Sequence, residues 1–161
     1  MHQADWIVIE TTEGDFIPSQ QHHKETVFTL SNGYLGTRGS FEEGYPGDRP
    51  ATFINGVYDD VPVVFTELVN CPNWLSLVIV IEGERFRLDQ GKILDYKRWL
   101  DLRRGVLHRF VRWQSPSGNI LDFRFERFAS LADPHLLALR CQLTSINYSG
   151  SIEVHTSLNG Y

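Results

Sequence analysis

The sequence is poor in the residues and patterns that mark several common classes of protein. Its two cysteines, Cys71 and Cys141, lie far apart and form no Cys-x-x-Cys motif, which favours free thiols in a reduced compartment. The longest apolar run, residues 77–81, is far too short to cross a bilayer. The first residues lack the basic and apolar regions of a secretory signal. We therefore expect a cytoplasmic protein with no membrane partner.

Charge and motif content exclude further classes. The 161 residues carry a mixed charge with a net of −5, and a nucleic-acid partner would require a basic stripe. The glycines of residues 33–39 do not form G-x-G-x-x-G or a phosphate-binding loop. The six histidines have no metal-ligand spacing and no cysteine beside them. We therefore expect no nucleic acid, no metal site and no cofactor.

Hydrophobic alternation with a period of two is the strongest pattern that is present. Leu121, Phe123 and Phe125 fall on one face of a strand, and Asp122 and Arg124 fall on the other. Similar patterns predict strands at residues 6–9, 77–81, 85–88, 107–113, 120–128, 137–144 and 152–158. Turn clusters at residues 115–118 and 147–150 separate the later strands.

No segment sustains the period of 3.6 that is typical of a helix. Seven short strands at regular spacing predict an all-β antiparallel sandwich or barrel, with at most a turn or two of helix. Hydrophobic residues make up 42% of the chain, which is enough for a packed core. Aromatic residues reach 12% and fit either that β core or exposed rings on which a sugar stacks. The basic and aromatic residues 96–104 are interrupted by acid, which favours an ion-paired sheet surface over an RNA site.

A glycine-rich and proline-rich segment, residues 33–50, predicts a long loop. Its glycines fit turns with positive φ, or a close approach to a ligand or a second domain. Glu42 and Glu43 lie in it, and glycoside cleavage needs two carboxylates. However, neighbouring residues in an extended loop point apart and cannot flank one bond. We interpret both as solvated or salt-bridged acids with Arg38 as the charge partner, and we assign no catalytic residue.

Five blocks of residues, taken in order, carry a family resemblance. They are residues 25–44 (ETVFTLSNGYLGTRGSFEEG), 52–58 (TFINGVY), 67–74 (ELVNCPNW), 100–107 (LDLRRGVL) and 126–131 (ERFASL). Together they resemble the N-terminal part of glycoside hydrolase family 65, which includes maltose, trehalose and kojibiose phosphorylases. The resemblance extends from about Trp6 to Tyr161.

The resemblance implies more than the pattern of residues does. Such enzymes begin with a β-sandwich of the galactose-mutarotase-like type, followed by an (α/α)6 barrel that holds the general acid. Inorganic phosphate attacks with inversion in the phosphorylases, and water attacks in the hydrolases. By this resemblance, residues 1–161 form an incomplete N-terminal sandwich that stops at Tyr161, without the catalytic barrel. Phosphate would be a co-substrate of the parent enzyme only.

Two hypotheses about function follow. In the first, the chain is the non-catalytic N-terminal domain of an α-glucoside phosphorylase or hydrolase, with the barrel and a disaccharide as partners and a homodimer as an open alternative. Its interface or substrate rim would include Asn32, Gly33, Arg38, Glu42 and Glu43. In the same loop, Tyr34, Leu35 and Phe41 would offer apolar surface to the barrel. In the second, it is a carbohydrate-binding or mutarotase-like module, which would need a His and a Glu converging on a concave sheet.

Overall fold

The computed structural model describes residues 6–11, 16–59 and 66–160. Within them, the chain forms thirteen strands and one short helix, α1 (Gln21–Val27), which follows a 3-10 turn at Pro18–Gln20. The strands are β1 (Ile7–Thr11), β2 (Leu30–Ser31), β3 (Leu35–Thr37), β4 (Thr52–Ile54), β5 (Tyr58–Asp59), β6 (Glu67–Leu68), β7 (Leu77–Ile81), β8 (Glu84–Arg85), β9 (Lys92–Asp101), β10 (Val106–Gln114), β11 (Ile120–Ala129), β12 (Leu137–Ser145) and β13 (Ile152–Thr156).

The largest sheet contains five antiparallel strands in the order β1-β9-β10-β11-β12. Because side chains alternate across a strand, every second residue of β10 and β11 points to the same interior face. Val111 is opposite Phe123 and Trp113 is opposite Leu121, so apolar residues of neighbouring strands meet. A bulge in β9 opposite Arg112 and Trp113 adjusts the register near one end of this sheet.

Two structures cover the interior face of the five-stranded sheet. Over one half lies the three-stranded sheet β13-β7-β8, which contributes Ile79 and Ile81 to the core. Over the other half lies the glycine-rich loop between β3 and β4, which contributes Phe41 and Tyr45. A smaller apolar cluster closes the end beyond that loop and consists of Phe28, Leu30, Leu100 and Leu107. The layers form an antiparallel β-sandwich.

The all-β antiparallel sandwich with little helix is therefore confirmed. Within the described residues, no helix has the length and apolar character needed to span a membrane. Helix α1 was not predicted, because it has no apolar stripe and its buried residues are Gln21 and Glu25. Strand β9, in which Tyr96, Arg98 and Leu100 point inward, was not predicted as a separate strand either. The stretch that we interpreted as an ion-paired surface is therefore half interior.

Candidate functional site

Three arginines lie on the interior face of the five-stranded sheet, one on each central strand. Arg98 of β9 is paired directly with Arg109 of β10, and Arg127 of β11 is opposite Leu107. All three side chains are at most 3% exposed. Buried arginines are uncommon unless carboxylates neutralise them. The partners come from the glycine-rich loop and from β1.

Arg109 is the centre of this cluster. It forms a forked pair with Glu43, in which Nη1 donates to Oε1 at 2.7 Å and Nη2 donates to Oε2. Nη2 also donates to Oε2 of Glu42 at 2.6 Å. Burial alone would lower the pKa of Arg109, but the two carboxylates outweigh it and raise that pKa above its usual value. Glu42 turns its other oxygen toward Nη1 of Arg127 at 3.3 Å, so the carboxylates tie two strands to the loop.

Arg98 fastens the start of the same loop. Its Nη1 donates to the carbonyl of Gly39 at 2.9 Å, and its Nε donates to Glu10 on β1 at 2.9 Å. The ring centroid of Phe41 lies 4.8 Å from the guanidinium carbon of Arg98 and 4.7 Å from that of Arg109. The loop is therefore held by ion pairs, a hydrogen bond to its backbone and cation–π contacts.

Glu25, near the end of α1, is a further buried carboxylate. Tyr45 donates its hydroxyl hydrogen to Oε1 of Glu25 at 2.8 Å, and Nε of Arg38 donates to Oε2 at 3.2 Å. Burial raises the pKa of Glu25 above its usual range, although both partners oppose the shift. Gly39 packs so closely on α1 that an added Cβ would lie 2.7 Å from the carbonyl oxygen of Glu25 and from Cβ of Phe28.

These contacts correct several expectations. Glu42 and Glu43 do not point apart, because they lie in a turn in which the amide of Gly44 donates to the carbonyl of Phe41. Their charge partners are Arg109 and Arg127, whereas Arg38 pairs with Glu25. Both glutamates are buried at 5% exposure or less, so their side chains do not lie on an interface or rim of this chain.

The other residues assigned to an interface lie at the end of the sandwich. Asn32 accepts hydrogen bonds from the amides of Tyr34 and Leu35, and donates to the carbonyls of Ser130 and Pro134 at 2.7 and 3.0 Å. Gly33 occupies an exposed turn with φ of +89°. Asn32 therefore fixes two loops to each other. Of the apolar residues expected to face a barrel, Leu35 and Phe41 are instead buried in this domain, and only Tyr34 is partly exposed.

The arginine and glutamate cluster has no room for a substrate. The space that its residues enclose is only about 10 Å³, and every carboxylate in it binds a guanidinium or a hydroxyl. A general acid must reach a glycosidic oxygen, and these groups cannot. Among the described residues, no group of three or more His, Cys, Asp or Glu could hold a metal ion. The role of the cluster is therefore to hold the glycine-rich loop against the sheet.

A His and a Glu do converge, but on the outer face of the five-stranded sheet. Nδ1 of His108 lies 3.3 Å from Oε1 of Glu126, and Trp99 stacks on the imidazole with ring centroids 4.8 Å apart. An open groove of about 320 Å³ lies beside them, with Phe128 and Arg140 also on its walls. The sequence did not single out this pair, although continuing the alternation of β10 and β11 places both residues on the outward face.

Comparison with known proteins identifies the family. The model for the glycosyl hydrolase family 65 N-terminal domain matches residues 11–161. The chain belongs to this family. It is 40% identical over 156 residues to a kojibiose phosphorylase of Halothermothrix orenii, an alignment that covers 97% of this chain and 20% of the relative. It is 36% identical over 171 residues to an α,α-trehalose phosphorylase of Thermoanaerobacter brockii, covering 97% and 22%.

The fold of this family 65 domain agrees with a solved structure. A putative kojibiose phosphorylase from the human microbiome superimposes with a TM-score of 0.78 and 26% identity, covering 89% of this chain and 20% of that one. The chain thus spans about one-fifth of the length of the relatives that it matches. In those relatives the matched region is the N-terminal domain of a larger enzyme.

Proposed function

We propose that this domain is the non-catalytic N-terminal part of a phosphorylase that acts on an α-linked glucose disaccharide. The observation that carries the proposal is the match to the N-terminal domain of family 65, with relatives named kojibiose and trehalose phosphorylases. The chemistry agrees, because Glu42 and Glu43 are neutralised by arginines inside the domain. The general acid and the phosphate site would belong to a catalytic (α/α)6 barrel outside residues 1–161.

Within such an enzyme, the domain would supply a rigid body beside the barrel. Asn32 and Gly33 remain our candidates for its contact region, because their turn joins the loops at one exposed end. Arg38 is a candidate through its partly exposed guanidinium, whose other contacts fix α1. A cytoplasmic location remains part of the proposal and is supported by two free thiols, Cys71 and Cys141.

Activity measurements test this proposal directly. The polypeptide that continues from this domain into its catalytic part is assayed with kojibiose and with trehalose, each with and without inorganic phosphate. We expect release of glucose 1-phosphate that depends on phosphate, and no turnover by residues 1–161 alone. Hydrolysis without phosphate would replace the phosphorylase assignment with a hydrolase. Turnover by the isolated chain would refute its non-catalytic role.

The pair of His108 and Glu126 favours a second candidate, a carbohydrate-binding or mutarotase-like module. The groove beside them has the volume of a small-ligand site, and Phe128 offers an apolar surface to a sugar ring. Against catalysis, the two side chains contact each other and so do not flank a sugar from opposite sides. Titration of glucose and maltose into the chain, followed by nuclear magnetic resonance, separates the candidates: shifts confined to this groove would support the module.

A further inference from the structure

One end of the sandwich carries apolar side chains that its own fold leaves uncovered. The turn between β9 and β10, strand β2 and the loop after β11 surround a groove of about 520 Å³ there. Leu30 and Leu100 form its buried floor. Leu131, Leu102 and Phe128 on its walls are 85%, 51% and 40% exposed. We call this groove and its walls the end surface.

The loops of the end surface are held in place. Oδ1 of Asp101 accepts hydrogen bonds from the amides of Arg103 and Arg104 at 3.0 and 3.1 Å, which closes the turn between β9 and β10. Asn32 binds two carbonyls of the loop after β11, and Tyr34 packs edge-on against His135 of that loop with centroids 4.6 Å apart. Leu131 is therefore presented to solvent by an anchored loop.

At the opposite end of the same sheet, polar contacts cover the turn between β10 and β11. Glu84 accepts hydrogen bonds from the amide and the hydroxyl of Ser117, and Asn119 donates a hydrogen bond to Glu82. Asn147 adds contacts to the carbonyl of Gly118 and the amide of Ile120. The turn between β10 and β11 is therefore covered by polar contacts, whereas the turn between β9 and β10 and the loop after β11 leave Leu102 and Leu131 exposed beside a groove.

The charge of the end surface indicates the kind of partner that fits it. Arg103 and Arg104 project beside the groove, with Asp101 as the acid of the same turn, although the whole chain has a net charge of −5. The side chain of Arg104 is 77% exposed, and its Nε lies 3.9 Å from Oδ2 of Asp101, which is a loose ion pair. A matching surface would offer apolar side chains to Leu102 and Leu131, and carboxylates to the two arginines.

We propose that the end surface docks the catalytic part of the longer polypeptide, through an acidic and apolar patch on that part. This inference rests on the proposed function, because relatives place about four-fifths of their length outside the region matched here. A second copy of this chain fits less well. A two-fold contact through this surface would place Arg103 and Arg104 of both copies in one interface, and like charges brought together there are costly.

The test compares matched variants in the full polypeptide and in the 161-residue chain. Leu131→Glu combined with Leu102→Glu places carboxylates in the proposed contact, and Leu94→Glu is the control on β9, 40% exposed and distant from this end. In scanning calorimetry of the full polypeptide, we expect the double variant to uncouple the N-terminal domain from the catalytic part. The unfolding transition of the N-terminal domain should become separate, and its melting temperature should fall by at least about 4 °C. Leu94→Glu should not change the calorimetric profile of the full polypeptide. The double variant should not change the melting temperature of the 161-residue chain.

An unchanged profile for the double variant of the full polypeptide would overturn the inference. It would also be overturned if the 161-residue chain formed dimers in sedimentation experiments that the double variant dissociates, because the surface would then join two copies. Failure of the proposed function is distinguishable. It would appear as absent phosphorolysis by the wild-type polypeptide, whether or not the calorimetric coupling is found.

Discussion

Toward Trp113, the interior of the sandwich is packed with aromatic rings, whereas toward Leu107 the same face of the same strands carries three arginines. In the aromatic half, Phe86 stacks on Phe123 with centroids 3.8 Å apart and meets Trp113 edge-on. In the ionic half, Arg109 binds two carboxylates from the loop that covers it. Apolar burial stabilises the first half without fixing partners, and the second half requires specific partners at specific distances.

The difference explains how the long loop between β3 and β4 is positioned. A sheet can cover the aromatic half because rings accept many packing arrangements. A loop with little regular structure needs directed bonds, and the cluster supplies them through Glu42, Glu43 and the carbonyl of Gly39. We infer that the arginines give the loop one conformation.

The largest expected effect comes from removing the centre of the ionic half. Arg109→Met should lower the free energy of unfolding by about 3–5 kcal/mol, because Glu42 and Glu43 would remain buried with one guanidinium too few. Adding Glu43→Gln should recover part of the loss, since Glu42 and Arg127 then balance. Urea denaturation of the chain, followed by circular dichroism, measures both.

The aromatic half provides the comparison for that experiment. Phe123→Ala should also cost about 3–5 kcal/mol, through lost burial and a cavity. Glu43→Gln should not recover any of this loss, because Phe123 lies in the aromatic half and makes no ion pair. If Glu43→Gln failed to improve Arg109→Met, the cluster would act by shape and not by charge balance, and the contrast between the halves would lose its basis.

The two halves also differ in how far the sequence predicts them. The alternation of Leu121, Phe123 and Phe125 predicts an inward face and is confirmed. The same alternation continues to Arg127, an inward position that a pattern of apolar residues alone does not mark. Arginines at inward positions of neighbouring strands require buried acids, and this requirement could have identified Glu42 and Glu43 as internal partners.

Other features depend on contacts between distant parts of the chain. Nothing local in residues 21–27 indicates a helix that buries Glu25, because its partners Arg38 and Tyr45 follow 13 and 20 residues later. The glycine-rich loop was expected to approach another surface closely. Gly39 does so, but that surface is α1 of the same domain, a pairing that only the three-dimensional structure reveals.

A smaller effect is expected where the loop meets α1. Gly39→Ala should destabilise the chain by about 1–3 kcal/mol, because the new Cβ would lie 2.7 Å from the backbone of Glu25 and from Phe28, and the loop would have to shift. Gly36→Ala is the matched control, since its Cβ would meet nothing closer than 3.7 Å. Thermal unfolding of both variants checks the comparison. Equal melting temperatures for the two would show that the loop tolerates displacement, contrary to a single fixed conformation.

The smallest effect concerns pH and separates an interior carboxylate, Glu25, from Asp122 on the outer face of the sheet, where Arg112 covers it. Burial raises the pKa of Glu25 in the folded chain, so the folded state binds this proton more tightly than the unfolded state does. The contribution of Glu25 to stability should therefore increase as pH falls through the raised pKa toward the ordinary value. The hydrogen bond from Arg112 lowers the pKa of Asp122, despite partial burial, so its contribution should be present near neutral pH and lost in acid.

Two variants isolate these opposite signs. The unfolding free energy of wild type minus that of Glu25→Gln should rise from pH 7 to pH 4.5, while the same difference for Asp122→Asn should be flat or fall. Urea titrations across this range, compared pairwise, remove the background of the other carboxylates because both variants share it. Parallel curves for the two variants would mean that the pKa of Glu25 is not raised in the folded chain. Its bonds from Tyr45 and Arg38 would then offset the effect of burial, and the ionic half would not differ electrostatically from the outer face of the sheet.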